Sequence, residues 1–232
     1  MRPLSNLRRF ALAALLACAV PMIASDGNAQ AAATALPAAQ AQTVLTKVQN
    51  FYDKTTSFSS DFTQEFFVKS HNLKKQSKGK VTFAKPGKMH WEYSEPRDNR
   101  VVSDGAVLKV YEAANKQMFE QNVDKSQYPA ALSFLVGGGK LGDTFNFELY
   151  EGAAMNFANG QVLVGTPKTP SPAYQKVLFY VDGATSQVRR VLIVDGQGNR
   201  NRFDFENPKV NEAISADRFK FVPPAGTQVI KP

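Results

Sequence analysis

Few side chains in this sequence belong to types that do chemistry. Cys18 is the sole cysteine, and His71 and His90 are the two histidines. A thiolate nucleophile or a cysteine metal site needs cysteines in the folded body, whereas Cys18 lies inside an apolar N-terminal run. Two separated histidines do not make a metal cluster. His90 stands between Lys88 and Glu92 on the outward side of a strand pattern and reads as a surface histidine. Asp61 and Glu65 are four residues apart, so a strand puts both on one face, with no other sign of an acid–base pair. Gly137-Gly138-Gly139-Lys140 follows a helical pattern, not a strand, and reads as a helix stop instead of a phosphate cradle. Nucleophile-elbow and zinc-protease motifs are absent from the sequence. The expectation is a binding protein that is not an enzyme, with no catalytic residues, no metal and no cofactor.

The elements around these residues begin with an export segment. Three arginines in residues 1–9 precede an apolar run over 10–23, broken by Ser25-Asp26-Gly27. That is the layout of a secretory signal, and the run of about 14 residues is shorter than the ~20 that span a bilayer. Gly27-Asn28-Ala29 supplies small residues for cleavage, so residues 1–29 read as the signal, 30–42 as a flexible leader and 43–232 as a single domain. Leu15-Leu16-Ala17-Cys18 also resembles a lipoprotein cleavage box. Cys18 is then either the lipidated N-terminus of an anchored protein or a small apolar residue within the signal. The formal charge of +8 becomes about +6 once Arg2, Arg8, Arg9 and Asp26 are removed, which suits an anionic membrane surface or an acidic partner. No nucleic-acid motif accompanies the charge.

Residues 43–52 carry Val44, Leu45, Val48, Phe51 and Tyr52 at helical spacing. After them the period becomes two. About eleven strands are expected, at 62–69, 78–84, 88–93, 100–103, 107–111, 117–121, 145–150, 161–165, 175–182, 188–194 and 200–205. The short gaps between them favour antiparallel neighbours in one long meander, and so large a sheet curls toward a barrel. The segment 126–141 interrupts the strands. Its Leu132, Phe134 and Leu135 belong to a short helix opened by Pro129, too apolar to lie exposed.

Alternation puts Phe62 with Phe66, Val81 with Phe83, Met89 with Trp91 and Tyr93, Phe145 with Phe147, and Val177 with Phe179 on one face. These residues either fill a core against the first helix or line a cavity for an apolar ligand. Two short helices look too small to fill the concave side of such a sheet, which favours the cavity. Lys69, Lys74, Lys75, Lys78, Lys80, Lys85 and Lys88 with His71 form a basic stretch. It reads either as a solvated edge or as a docking patch for an acidic receptor or anionic headgroups.

Four ordered segments carry a family resemblance: Phe58-Ser59-Ser60-Asp61-Phe62-Thr63-Gln64; Gly79 to Phe83 with Lys85-Pro86 and Trp91; Ser103-Asp104-Gly105; and Phe219-Lys220-Phe221-Val222-Pro223-Pro224-Ala225-Gly226. Together they resemble the periplasmic outer-membrane lipoprotein carrier family, LolA. The resemblance implies an α+β, mainly β fold: an unclosed antiparallel β-barrel with a helical lid over an apolar cavity. It implies a monomeric periplasmic chaperone that binds lipoprotein acyl chains, receives them from an inner-membrane ABC release complex and delivers them to an outer-membrane acceptor. ATP is consumed by that complex, so the chain needs no cofactor. Phe62, Phe66, Val81, Phe83, Met89, Trp91, Tyr93, Phe145, Phe147 and Phe179 would line the cavity. Leu132, Phe134 and Leu135 would form the lid. Lys85 would stand where the family usually has an arginine that bonds lid carbonyls and locks it, and lysine lacks that planar fork of donors. A membrane-anchored acceptor lipidated at Cys18, and a periplasmic sensor or interaction module on a similar half-barrel, are the alternatives.

Overall fold

The computed structural model describes residues 33–123, 132, 134–135 and 137–231. The export segment 1–29, Cys18, and lid positions 129–131, 133 and 136 lie outside the described residues.

One helix and one sheet dominate. Helix α1 spans Ala38–Asp53 and starts five residues before the expected helix. Residues 38–42 are therefore helical, where the sequence pattern points to a flexible leader. Pro37 precedes the helix with φ −53°, and the alanines and glutamines after it are good helix formers. Ala41, Leu45, Val48 and Tyr52 are its buried residues, and this spacing makes one apolar stripe.

The described chain carries twelve strands, not eleven. They are β1 (Ser57–Val68), β2 (Leu73–Ala84), β3 (Lys88–Glu95), β4 (Arg100–Asp104), β5 (Val107–Glu112), β6 (Gln117–Asn122), β7 (Phe145–Glu151), β8 (Gly160–Pro167), β9 (Lys176–Asp182), β10 (Val188–Val194), β11 (Arg200–Val210) and β12 (Gln228–Ile230). A four-residue helix α2, Leu141–Thr144, leads into β7. The strands form one sheet in the order β12-β6-β5-β4-β3-β2-β1-β11-β10-β9-β8-β7. The sheet is unclosed, with β12 and β7 at its ends. It is not the single meander expected: two meanders, β1 to β6 and β7 to β11, join where β1 pairs antiparallel with β11. β12, expected as an extended tail, pairs parallel with β6. β6 and β7, consecutive in the chain, therefore lie near opposite ends of the sheet.

Two of the resemblance segments are explained by local geometry. In Ser103-Asp104-Gly105 the Asp104 carboxylate accepts from the Ala106 and Val107 amides, both at 2.9 Å. The buried Ser103 hydroxyl donates to the Gly87 carbonyl and accepts from the Gly105 amide. Gly105 has φ +103°, a value that favours glycine. At Gly79, beside a bulge in the β2–β3 register, a Cβ would collide with the Glu92 carbonyl oxygen.

Candidate functional site

The side chains assigned by alternation to the inner face do converge. Phe62, Val81, Phe83, Met89, Trp91, Phe145 and Phe179 belong to one apolar cluster, each 4% exposed or less. Phe147 and Tyr93 are half-buried and pack against it. Trp91 sits at the centre of the rings, with centroids 4.9 Å from Phe62, 5.6 Å from Phe83 and 5.3 Å from Phe203. Its indole N–H is buried without a hydrogen-bond partner among the described residues, which ordinarily costs about 1–3 kcal/mol.

Phe66 does not join this cluster. It shares the face of Phe62, but it lies opposite Lys75 and Asn201 near the far end of the β1–β2 hairpin and is only half-buried. Alternation assigns a face along the whole strand, whereas the elements that cover that face end short of Phe66.

The cover comes from two places. Helix α1 lays its stripe on the inner face, and its Tyr52 hydroxyl accepts from the Val188 amide at 3.0 Å. Burial pushes the Tyr52 hydroxyl far above the ordinary phenol range, so it stays neutral. From the β6–β7 segment, Leu132, Phe134 and Leu135 are buried in 3-10 conformation within the same cluster. The Phe134 ring stands edge-on to Tyr52 at 4.8 Å and to Phe179 at 5.5 Å. Leu141 follows them into the cluster, and its amide donates to Gln49 Oε1 on α1 at 2.9 Å. Among the described residues the expected cavity is thus occupied by the protein's own side chains. A volume judged from helix length misses that large aromatics from both sides interlock. An open groove of about 620 Å³ remains between α1 and β7, floored by Leu45, Phe145 and Phe147 and rimmed by Lys140 and Lys168.

Lys85 sits at the seam between helix and lid. Its ammonium donates to the Tyr52 carbonyl at the end of α1, and its methylene stem lies against the position a Gly137 Cβ would take, at 3.3 Å. The described contact is therefore with the α1 terminus, with the stem packed beside the end of the lid segment.

His90 is not at the surface. It is 8% exposed, and its Nδ1 donates to the Arg218 carbonyl at 2.6 Å. A carbonyl only accepts, so Nδ1 carries the proton and Nε2, buried without a partner among the described residues, is the bare nitrogen. Burial pushes the imidazole pKa down. The cover here is a C-terminal strap that sequence alternation could not place: a 3-10 turn at Ala216–Phe219 and the chain after it. Arg218 pairs with Glu92 at 2.9 Å, Lys109 donates to the Phe221 carbonyl at 2.9 Å, and Phe221 packs on Tyr111. Burial pushes the Glu92 carboxyl up, but the Arg100 and Arg218 guanidiniums outweigh it and hold it below the usual range. The terminal resemblance segment, with the turn that leads into it, is thus the clamp on the outer face of β3 to β5.

Asp61 and Glu65 each pair with a lysine of β2. Asp61 bonds Lys80 at 2.7 Å, which lowers its pKa, and Glu65 lies 4.0 Å from Lys74. A second apolar cluster, Val162, Val164, Leu178 and Tyr180, lies on the outer face of β8 and β9. Its signal in the sequence is the near-continuous apolar run of each strand, which indicates burial on both sides.

Among the described residues no helix is long and apolar enough to cross a membrane. The sequence model of the family described as "Outer membrane lipoprotein carrier protein LolA" matches residues 53–222. Proteins named outer-membrane lipoprotein carrier protein are similar along most of the chain. The one from Nitrosospira multiformis is 27% identical over 190 residues, covering 81% of this chain and 88% of its own. The one from Chromobacterium violaceum is 26% identical over 206 residues, covering 88% and 95%. Among solved structures, an uncharacterized conserved protein from Thermus thermophilus superposes with a TM-score of 0.51 at 13% identity, over 83% of this chain and 99% of that one. That likeness concerns the fold.

Proposed function

This chain belongs to the outer membrane lipoprotein carrier family, and from that premise we propose that it is the periplasmic carrier that takes lipoproteins toward the outer membrane. The observation that carries the reading is the continuous apolar face from Phe62 and Trp91 to Phe179, covered by α1 and by Leu132, Phe134 and Leu135. Acyl chains would replace the lid side chains on this face, entering beside the groove between α1 and β7. Lys85, bonded to α1 and packed beside Gly137, would hold the cover down while the carrier is empty. The donor of cargo would be an inner-membrane ABC release complex and the recipient an outer-membrane acceptor. No cofactor is required, because apolar exchange supplies the binding.

The experiment is purification of the protein from a periplasm, followed by intact mass spectrometry for a bound triacylated polypeptide. Release of lipoproteins from spheroplasts on adding the purified chain is the second readout. A protein that is always empty and releases nothing would overturn the carrier reading. The same spectra give the mature N-terminus: an acylated Cys18 would instead identify the anchored acceptor.

A further inference from the structure

The β1–β2 hairpin outruns β3 on one side, while on the other β11 flanks β1 as far as Phe67 and Asn199 Oδ1 accepts from the Lys69 amide at 2.9 Å. β2 pairs with β3 only as far as Lys78, so residues 73–77 of β2 have strand pairing on the β1 side alone. Five residues at about 3.3 Å each carry the tip some 16 Å beyond that neighbour. Residues 69–76 are exposed throughout. The tip is nonetheless apolar in composition. Phe66, Val68 and Leu73 lie on one face, because Val68 stands directly opposite Leu73; Leu73 is 46% exposed. Phe67 occupies the other face, with the Arg200 guanidinium 5.2 Å above its ring.

Around these side chains stand Lys69, Lys74 and Lys75, with His71 in the turn; Lys78, at the base of the overhang, pairs with Glu95 at 2.8 Å, and Lys74 lies 4.0 Å from Glu65. Glu65 is the one carboxylate between residues 64 and 78. A projecting tip with apolar residues at its centre and cations around them matches a surface that is anionic outside and apolar beneath. A solvated edge would carry the lysines without Phe66, Phe67, Val68 and Leu73. An acidic protein partner would satisfy the cations but provides no matching depth for the apolar tip.

We propose that this hairpin tip docks the protein reversibly on anionic phospholipid membranes. Lys69, Lys74 and Lys75 contact headgroups, and Leu73 with Phe66 or Phe67 enters the interface. The inference does not rest on the cargo reading, since it uses none of the residues that α1 and the lid cover. It gives the chain a means to stay near a membrane surface during exchange, without a permanent anchor.

The test is sedimentation of the full mature protein with vesicles of phosphatidylethanolamine and phosphatidylglycerol, beside phosphatidylcholine vesicles. Wild type should partition onto the anionic vesicles and release as salt rises, because the attraction acts over about a Debye length. Replacing both Lys74→Gln and Lys75→Gln should weaken partitioning about 30-fold, on the scale of one surface-bound cation each. Leu73→Asn should weaken it while leaving the salt dependence in place. All three positions are exposed, so unchanged thermal unfolding confirms that the variants fold. Equal binding to neutral vesicles, no binding by wild type, or full binding by the variants would overturn the proposal. So would variants that keep vesicle binding but lose hand-over to a soluble partner protein, which would make the tip a protein interface. Cargo loading, measured separately by mass spectrometry, should not change in any of them.

Discussion

If Phe134 is a placeholder for cargo, removing it should weaken the empty protein and strengthen binding at the same time. The ring is 5% exposed and packs edge-on against Tyr52 and Phe179. Phe134→Ala in such a setting costs about 3–5 kcal/mol, the lost transfer energy plus the cavity left behind. In a compact unit of some 200 residues each kcal/mol shifts the melting temperature by about 2–4 °C, so a fall of roughly 6–20 °C is expected. On the placeholder reading the segment carrying Phe134 would be displaced in the loaded protein, and the substitution would cost little there. The difference acts on the closed-to-loaded equilibrium. A cost of about 3 kcal/mol confined to the closed form raises the apparent affinity for a triacylated lipopeptide about 100-fold. Thermal unfolding of the empty protein and a lipopeptide titration read the two quantities. Val162→Ala, in the outer cluster, is the control: it should lower the melting temperature with no gain in affinity. A Phe134→Ala protein that melts early and binds more weakly, or no better, would refute the placeholder mechanism.

Three other substitutions probe the fold, the strap and the seam. Gly79→Ala drives a Cβ into the Glu92 carbonyl; backbone cannot yield as a side-chain end can, so a loss of about 3 kcal/mol or more is expected in denaturant titration, and an unchanged midpoint would show that the bulge is adjustable. His90 resists protonation because it is buried. Its folded pKa lies below the unfolded value near 6.5, so its contribution is intact above that pH and is lost as pH falls and the unfolded chain takes up the proton. Melting temperature recorded from about pH 8 to pH 5 should fall less steeply in His90→Gln; parallel profiles would remove His90 from the acid response. Lys85→Met keeps the stem against Gly137 but removes the bond to the Tyr52 carbonyl, a charged hydrogen bond worth about 1.5–3 kcal/mol. Lower stability of the empty form with faster lipopeptide uptake is expected, and unchanged uptake would show that Lys85 does not hold the cover.

What can be read from the sequence, and what cannot, divides by range. Strand alternation is local, so it places Phe62, Val81, Phe83, Met89, Trp91, Phe145 and Phe179 on the inner face without a structure. What covers a face is not local. His90 reads as exposed because its neighbours Lys88 and Glu92 are charged, yet the chain near Arg218, more than a hundred residues later, lies over it. Phe66 reads as buried because it alternates with Phe62, yet the hairpin outruns its cover. The pairing of β1 with β11 is likewise long-range. It joins two meanders where the sequence pattern suggests one. The start of α1 is missed for a different reason: an Ala- and Gln-rich stretch has strong helix propensity but little hydrophobic period to announce it.

The filled inner face solves a problem that an empty cavity would create. Each buried methylene of an acyl chain contributes about 0.8 kcal/mol, so a dozen of them contribute on the order of 10 kcal/mol. A dry, preformed cavity would keep such a ligand too tightly to pass it on. On the proposed reading the incoming chains would displace Leu132, Phe134 and Leu135, whose own burial would be lost in the exchange and would offset part of that gain. The sheet need not come apart to allow this. Its strand-to-strand bonds run within β1 to β12, and the edge at β7 is covered separately by the Leu36 amide donating to the Leu149 carbonyl at 2.8 Å. The described lid residues are joined to the sheet by apolar contact, which any apolar substitute can replace. Binding strength is then set by the difference between two apolar occupants, and single substitutions in the lid can move it in either direction.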